Sequence, residues 1–93
     1  MHAEDPRNGV RYELFLGAHD DARATYRCVV HTAAGAVRAE VEVDREGARI
    51  VSEDPGLDPA QRAQLTALAH TVGKREGAPW PRRVNRWRAP GVR

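Results

Sequence analysis

Residues 37–43 read Val37-Arg38-Ala39-Glu40-Val41-Glu42-Val43, and their apolar and charged side chains alternate without interruption. Successive side chains of a strand point to opposite faces. Val37, Ala39, Val41 and Val43 therefore go to one side, and Arg38, Glu40 and Glu42 to the other. A helix would scatter the same residues around its circumference. The segment reads as a half-buried strand of an antiparallel sheet with one wet face.

The same period extends in both directions. Upstream, Val10, Tyr12, Leu14 and Leu16 alternate with Arg11, Glu13 and Phe15, the last an aromatic on the otherwise polar side. Gly17 to Asp21 supplies a turn. In the next run Tyr26, Cys28 and Val30 face inward while Thr25, Arg27, Val29 and His31 face outward. Ala33-Ala34-Gly35 closes a hairpin, with Gly35 free to take positive φ. Downstream, Asp44 to Gly47 reads as a type I turn ending with glycine in the left-handed region. Residues 48–52 make a short fourth strand, and the short connections favour a meander.

At Leu57-Asp58-Pro59-Ala60-Gln61 the period changes. Asp58 suits a helix N-cap, Pro59 the first helical position, and Gln61 the residue that reaches back to the cap. Leu65, Leu68, Ala69 and Val72 fall on one helical face, and Gly77 with Pro79 beyond it predicts a stop near Glu76. The stripe is narrow, which suits one helix lying across one sheet face. The fold class is α+β: an antiparallel three- to four-stranded meander, one C-terminal helix packed on it, then a basic tail. Residues 1–9 read as a loose lead-in, 10–77 as the domain and 78–93 as a tail docked on it.

That tail concentrates the charge. Residues 1–73 carry eight Lys/Arg and twelve Asp/Glu, a balance of −4, whereas residues 74–93 carry seven and one, a balance of +6. If Pro81 opens a short helical turn, Trp80, Val84 and Trp87 share an arc of about 60° and dock on the domain. Arg82, Arg83, Arg86 and Arg88 then face solvent, pair with Glu40, Glu42 or Glu53, or meet phosphates of nucleic acid or another acidic partner. Read as a strand, the tail would turn Trp87 away from Trp80 and Val84. Fourteen of the fifteen basic residues are arginine, a bias that a GC-rich genome also produces. The outward sheet face is mixed as well. Phe15, Arg27, Val29 and His31 lie on it, and it reads as a candidate interface for a second copy or a ligand.

Signs of enzyme chemistry are sparse. Cys28 is the only cysteine, so no internal disulfide forms, and its inward position makes it a core residue. His19, Asp20 and Asp21 cluster in a turn, where such residues ordinarily bond nearby amides, and no second donor set completes a metal site. His31 is expected beside Glu40 or Glu42 as a cross-strand pair. The glycines show no phosphate-cradling spacing. No apolar run reaches the roughly 18 residues of a membrane span, and Met1 to Pro6 has no signal-peptide core. These features point to a cytoplasmic, non-enzymatic binding protein without cofactor, metal or small-molecule substrate. Its arginine-rich segment would contact nucleic acid or another acidic partner. The alternative is a homodimeric or adaptor module whose tail is purely structural.

Overall fold

Four strands follow one another in chain order: β1 (Val10–His19), β2 (Arg23–Thr32), β3 (Gly35–Asp44) and β4 (Ala48–Glu53). Helix α1 (Pro59–Gly73) comes next, and the chain returns to the sheet as β5 (Arg83–Arg88). The structure, a computed structural model, describes residues 9–74 and 79–88. Every pairing is antiparallel, and the strand order is β4-β3-β2-β1-β5. The α+β architecture, an antiparallel sheet with one helix, matches the sequence reading.

The helical turn expected in the tail does not form, and the sheet has five strands instead of three or four. Residues 83–88 pair with β1 from Arg83 opposite Phe15 to Arg88 opposite Val10. A helical tail would leave one edge of β1 unpaired; strand pairing satisfies those backbone groups. It also brings Val84 directly opposite Leu14 on the buried face.

That face carries Tyr12, Leu14, Tyr26, Cys28, Val30, Val41 and Val43, each at most 1% exposed. Leu65, Leu68 and Ala69 of α1 cover it, with Val72 half-buried beside them. At Gly73 an added Cβ would lie 2.5 Å from the Asp44 carbonyl oxygen, so only glycine allows the helix end this close to β3. The helix starts as read. Asp58 accepts from the Gln61 amide at 2.7 Å, and the Gln61 side chain accepts from the Asp58 amide at 3.1 Å. The helix ends at Gly73, with Lys74 as its C-cap, earlier than the stop predicted near Glu76; Glu76 and Gly77 themselves fall outside the described residues, as does the lead-in up to position 8.

Two turns differ from expectation. β1 continues through Gly17 to His19 with a bulge, and the chain reverses at Asp20, whose carboxylate accepts from the amides of Ala22 and Arg23. Gly47 does not adopt positive φ; among the described residues only Gly35 (133°) and Gly56 (125°) do. The Asp44 carboxylate holds that turn instead, accepting from the Glu46 and Gly47 amides at 2.8 Å each. With the carboxylate closing the turn, the left-handed glycine becomes unnecessary.

Trp80 seals the end of the core where the chain enters β5. It is 7% exposed, and its indole N–H donates to the Asp20 carbonyl at 2.6 Å. The Arg45 guanidinium lies 3.9 Å from its ring centre. Nearby, the Tyr26 hydroxyl donates to the Pro81 carbonyl at 2.7 Å. Trp80→Ala should therefore cost about 3–5 kcal/mol, read by urea denaturation, and Trp87→Ala less than half as much. Equal losses would mean that both rings belong to the core.

Candidate functional site

Strand alternation sorts the tail in a way that helical spacing did not. Val84, Arg86 and Arg88 pair with Leu14, Tyr12 and Val10 and share their side of the sheet, the side that α1 covers. Arg83, Asn85 and Trp87 pair with Phe15, Glu13 and Arg11 and share the opposite side. Trp80 and Val84 are buried, but Trp87 sits half-buried on the face away from the helix. The four arginines do not form one stripe. Arg83 lies on the open face, whereas Arg82, Arg86 and Arg88 project on the helix side, all four exposed.

Registers across β5, β1, β2 and β3 lay the open face out in rows. One row runs Trp87, Arg11, His31, Ala36; the next runs Asn85, Glu13, Val29, Arg38; a third runs Arg83, Phe15, Arg27, Glu40. The sequence reading placed Phe15, Arg27, Val29 and His31 here. It missed Trp87 and Arg83, because the helical assignment of the tail hid their parity.

Glu13 occupies the centre and is only 9% exposed. Its two carboxylate oxygens are shared between nitrogen groups from both neighbouring strands. The His31 Nε2 lies 2.7 Å from Oε1, and the Arg83 guanidinium donates to Oε2 at 2.7 Å. Arg11 stands 3.9 Å away. The hydrogen bond from Arg83, then that from His31, holds the Glu13 carboxyl below the usual glutamate range. His31 thus pairs with Glu13 on β1, not with Glu40 or Glu42 on β3. The β2–β3 register puts Ala36 opposite His31, leaving Glu13 as the reachable carboxylate. Glu42 and Glu53 likewise bind Arg49 and Arg62 in place of tail arginines.

Two shallow depressions flank Glu13 on this face. One, of about 590 Å³, is lined by Arg11, His31, Asn85 and Trp87. The other, of about 520 Å³, is lined by Phe15, Arg27 and Arg38 together with the carboxylates of Glu40, Glu53 and Asp54. The Arg83 guanidinium lies 5.5 Å from the Phe15 ring centre. The Trp87 ring lies over Gly9, where an added Cβ would collide with it. A glycine at that position gives the ring a flat bed. A third hollow, of about 1290 Å³, is lined by residues that include His19, Asp20, Arg45, Trp80 and Arg82. Its Asp20 and Trp80 are already committed to turn and core bonds.

Nucleophiles are poorly placed. Burial pushes the Cys28 thiol up to about 12, so it stays protonated at neutral pH. Burial raises the Tyr12 and Tyr26 hydroxyls to about 12 as well. Tyr12 donates to the Gln64 side chain, tying the sheet to the helix. Among the described residues, no group of three His, Cys, Asp or Glu side chains is placed to hold a metal ion. Also among them, no helix is long and apolar enough to cross a membrane. No protein-family model, curated protein or solved structure matches the chain.

Glu13 has a pH signature. Its folded pKa lies below the unfolded value of about 4.3, so its stabilisation is present above that value and lost as pH falls through the folded one. Glu13→Gln should therefore cost stability at pH 7, about 1 kcal/mol given the exposed Arg83 partner. The gap between variant and parent should close in melts below about pH 4. A constant gap across that range would remove the ionic role.

Proposed function

We propose that the protein is a non-enzymatic binding protein whose open sheet face, around β5, β1 and β2, contacts single-stranded nucleic acid. The observation that carries this reading is the shared parity of Trp87 and Phe15 with Arg11, Arg27, Arg38 and Arg83. Single-strand binders combine aromatic platforms with cations that track the backbone, and sheet faces backed by helices are one such platform. Four residues separate the ring positions along the strands, a spacing of about 14 Å. They would therefore stack on different nucleotides. The arginines between and beside them would take the intervening phosphates. The overall charge of +2 and an isoelectric point near 9.2 agree with a polyanionic partner.

Glu13 fits this reading as an internal counter-anion. Its carboxylate occupies Arg83 and His31 in the free protein, at the spot where a phosphate would compete for them. An alternative is that the half-buried Phe15, Val29 and Trp87 pack against a second copy, with β5 purely structural. The alternation of arginines among these rings disfavours it, because like charges would meet across a symmetric interface.

Fluorescence anisotropy with a labelled oligonucleotide and sedimentation of the free protein test both. The open-face reading expects binding that weakens with salt, with a log–log slope of about −0.7 per phosphate contacted. Trp87→Ala should weaken binding roughly 5- to 150-fold, the range for one lost stacking platform. Glu13→Gln should tighten binding although it destabilises the fold. Absence of salt-sensitive binding, or binding indifferent to Trp87→Ala, would overturn the reading. A dimer that Phe15→Glu dissociates would favour the alternative.

A further inference from the structure

Among the described residues the sheet ends at β5, and the pairing pattern shows which of its backbone groups point away from β1. The Leu16 amide donates to the Arg82 carbonyl at 2.9 Å. In an antiparallel pair, bonded positions recur every second residue, so Val84, Arg86 and Arg88 also face β1. The N–H and C=O groups of Arg83, Asn85 and Trp87 therefore point away from the sheet. Among the described residues, no strand pairs with them. The Asn85 carbonyl takes only the neighbouring Arg86 guanidinium, at 3.0 Å and exposed to solvent.

The same edge has an uneven charge. On the helix side, Arg82, Arg86 and Arg88 flank Val84, and among the described residues no carboxylate lies within ion-pair distance of these three. Helix α1 packs mainly over β3 and β4, and the side chains of Arg82, Arg86 and Arg88 are exposed beside the buried Val84. Nothing in the open-face reading employs these three arginines.

We infer that the free edge of β5 accepts an added strand from an acidic partner polypeptide. Backbone bonds from Arg83, Asn85 and Trp87 would supply the pairing, as in other strand additions. Specificity would come from side chains on the helix side. In antiparallel addition the incoming strand meets Arg88, Arg86, Val84 and Arg82 at every second residue. A matching segment therefore carries acidic side chains at its first, third and seventh positions and an apolar one at its fifth. A second copy does not satisfy this edge, since its own β5 would bring arginine against arginine. The inference stands apart from the open-face reading, which uses other side chains and another ligand.

A synthetic peptide of about ten residues tests it, with glutamates and valine at those positions and threonine between them. A scrambled peptide of identical composition, with glutamates on both faces, is the control. Calorimetry should show salt-sensitive binding of the first and at least about tenfold weaker binding of the second. Amide exchange should slow at Arg83, Asn85 and Trp87 in the complex. Asn85→Pro removes one outward donor without touching the β1 bonds, as prolines on edge strands do. It should weaken peptide binding about tenfold or more. Arg86→Glu with Arg88→Glu provides a second variant should proline disturb folding, and should abolish binding. Trp87→Ala, which keeps its backbone donor, should retain peptide binding while weakening oligonucleotide binding. Four results would overturn the inference: no binding at millimolar peptide in low salt, equal binding of the scrambled peptide, indifference to both edge variants, or protection of those three amides by an oligonucleotide instead.

Discussion

The pairing of β5 with β1 sets the character of the whole molecule. Without it, β1 would be an edge strand, Leu14 would lose Val84 opposite it, and Trp80 would have no fixed approach to the core end. With it, a strongly basic segment is divided in two by the strand period. Val84 enters the core, while Arg83 and Trp87 pass to the open face beside Arg11 and Phe15. The same alternation that stabilises the fold thus builds the candidate binding surface.

A buried carboxylate organises that surface. Glu13 joins β5 to β2 across β1 through Arg83 and His31, and the two depressions open on either side of it. In the proposed reading such a group stabilises the free fold but opposes an anionic ligand, because both draw on the same side chains. Stability and affinity should then respond to Glu13 with opposite signs. A purely structural ion pair would have no reason to show that opposition.

The sequence was most legible where side-chain period and local hydrogen bonding agree. The alternation at Val37–Val43 and the Asp58–Gln61 capping box appear in the structure at the positions read. The tail was misread because Trp80, Val84 and Trp87 satisfy helical spacing, while residues 83–88 suit a strand only once an empty edge is waiting for them. That edge is a long-range fact: β1 and β5 lie some seventy residues apart in the chain. The partner of His31 was missed for a different reason: β1 and β2 are also hairpin neighbours, but the irregularity between Leu16 and His19 shifts the register that brings Glu13 within reach. The Gly47 expectation failed on chemistry, because the Asp44 side chain closes the turn without a left-handed residue.

Everything above depends on residues 83–88 being a strand whose odd and even members face opposite ways. Amide hydrogen exchange of the free protein, resolved residue by residue, tests this most directly. The account predicts slow exchange at Val84 and Arg86, whose amides bond to β1, and fast exchange at Arg83, Asn85 and Trp87, whose amides meet solvent. Uniform protection across these residues, or uniformly fast exchange, would contradict it.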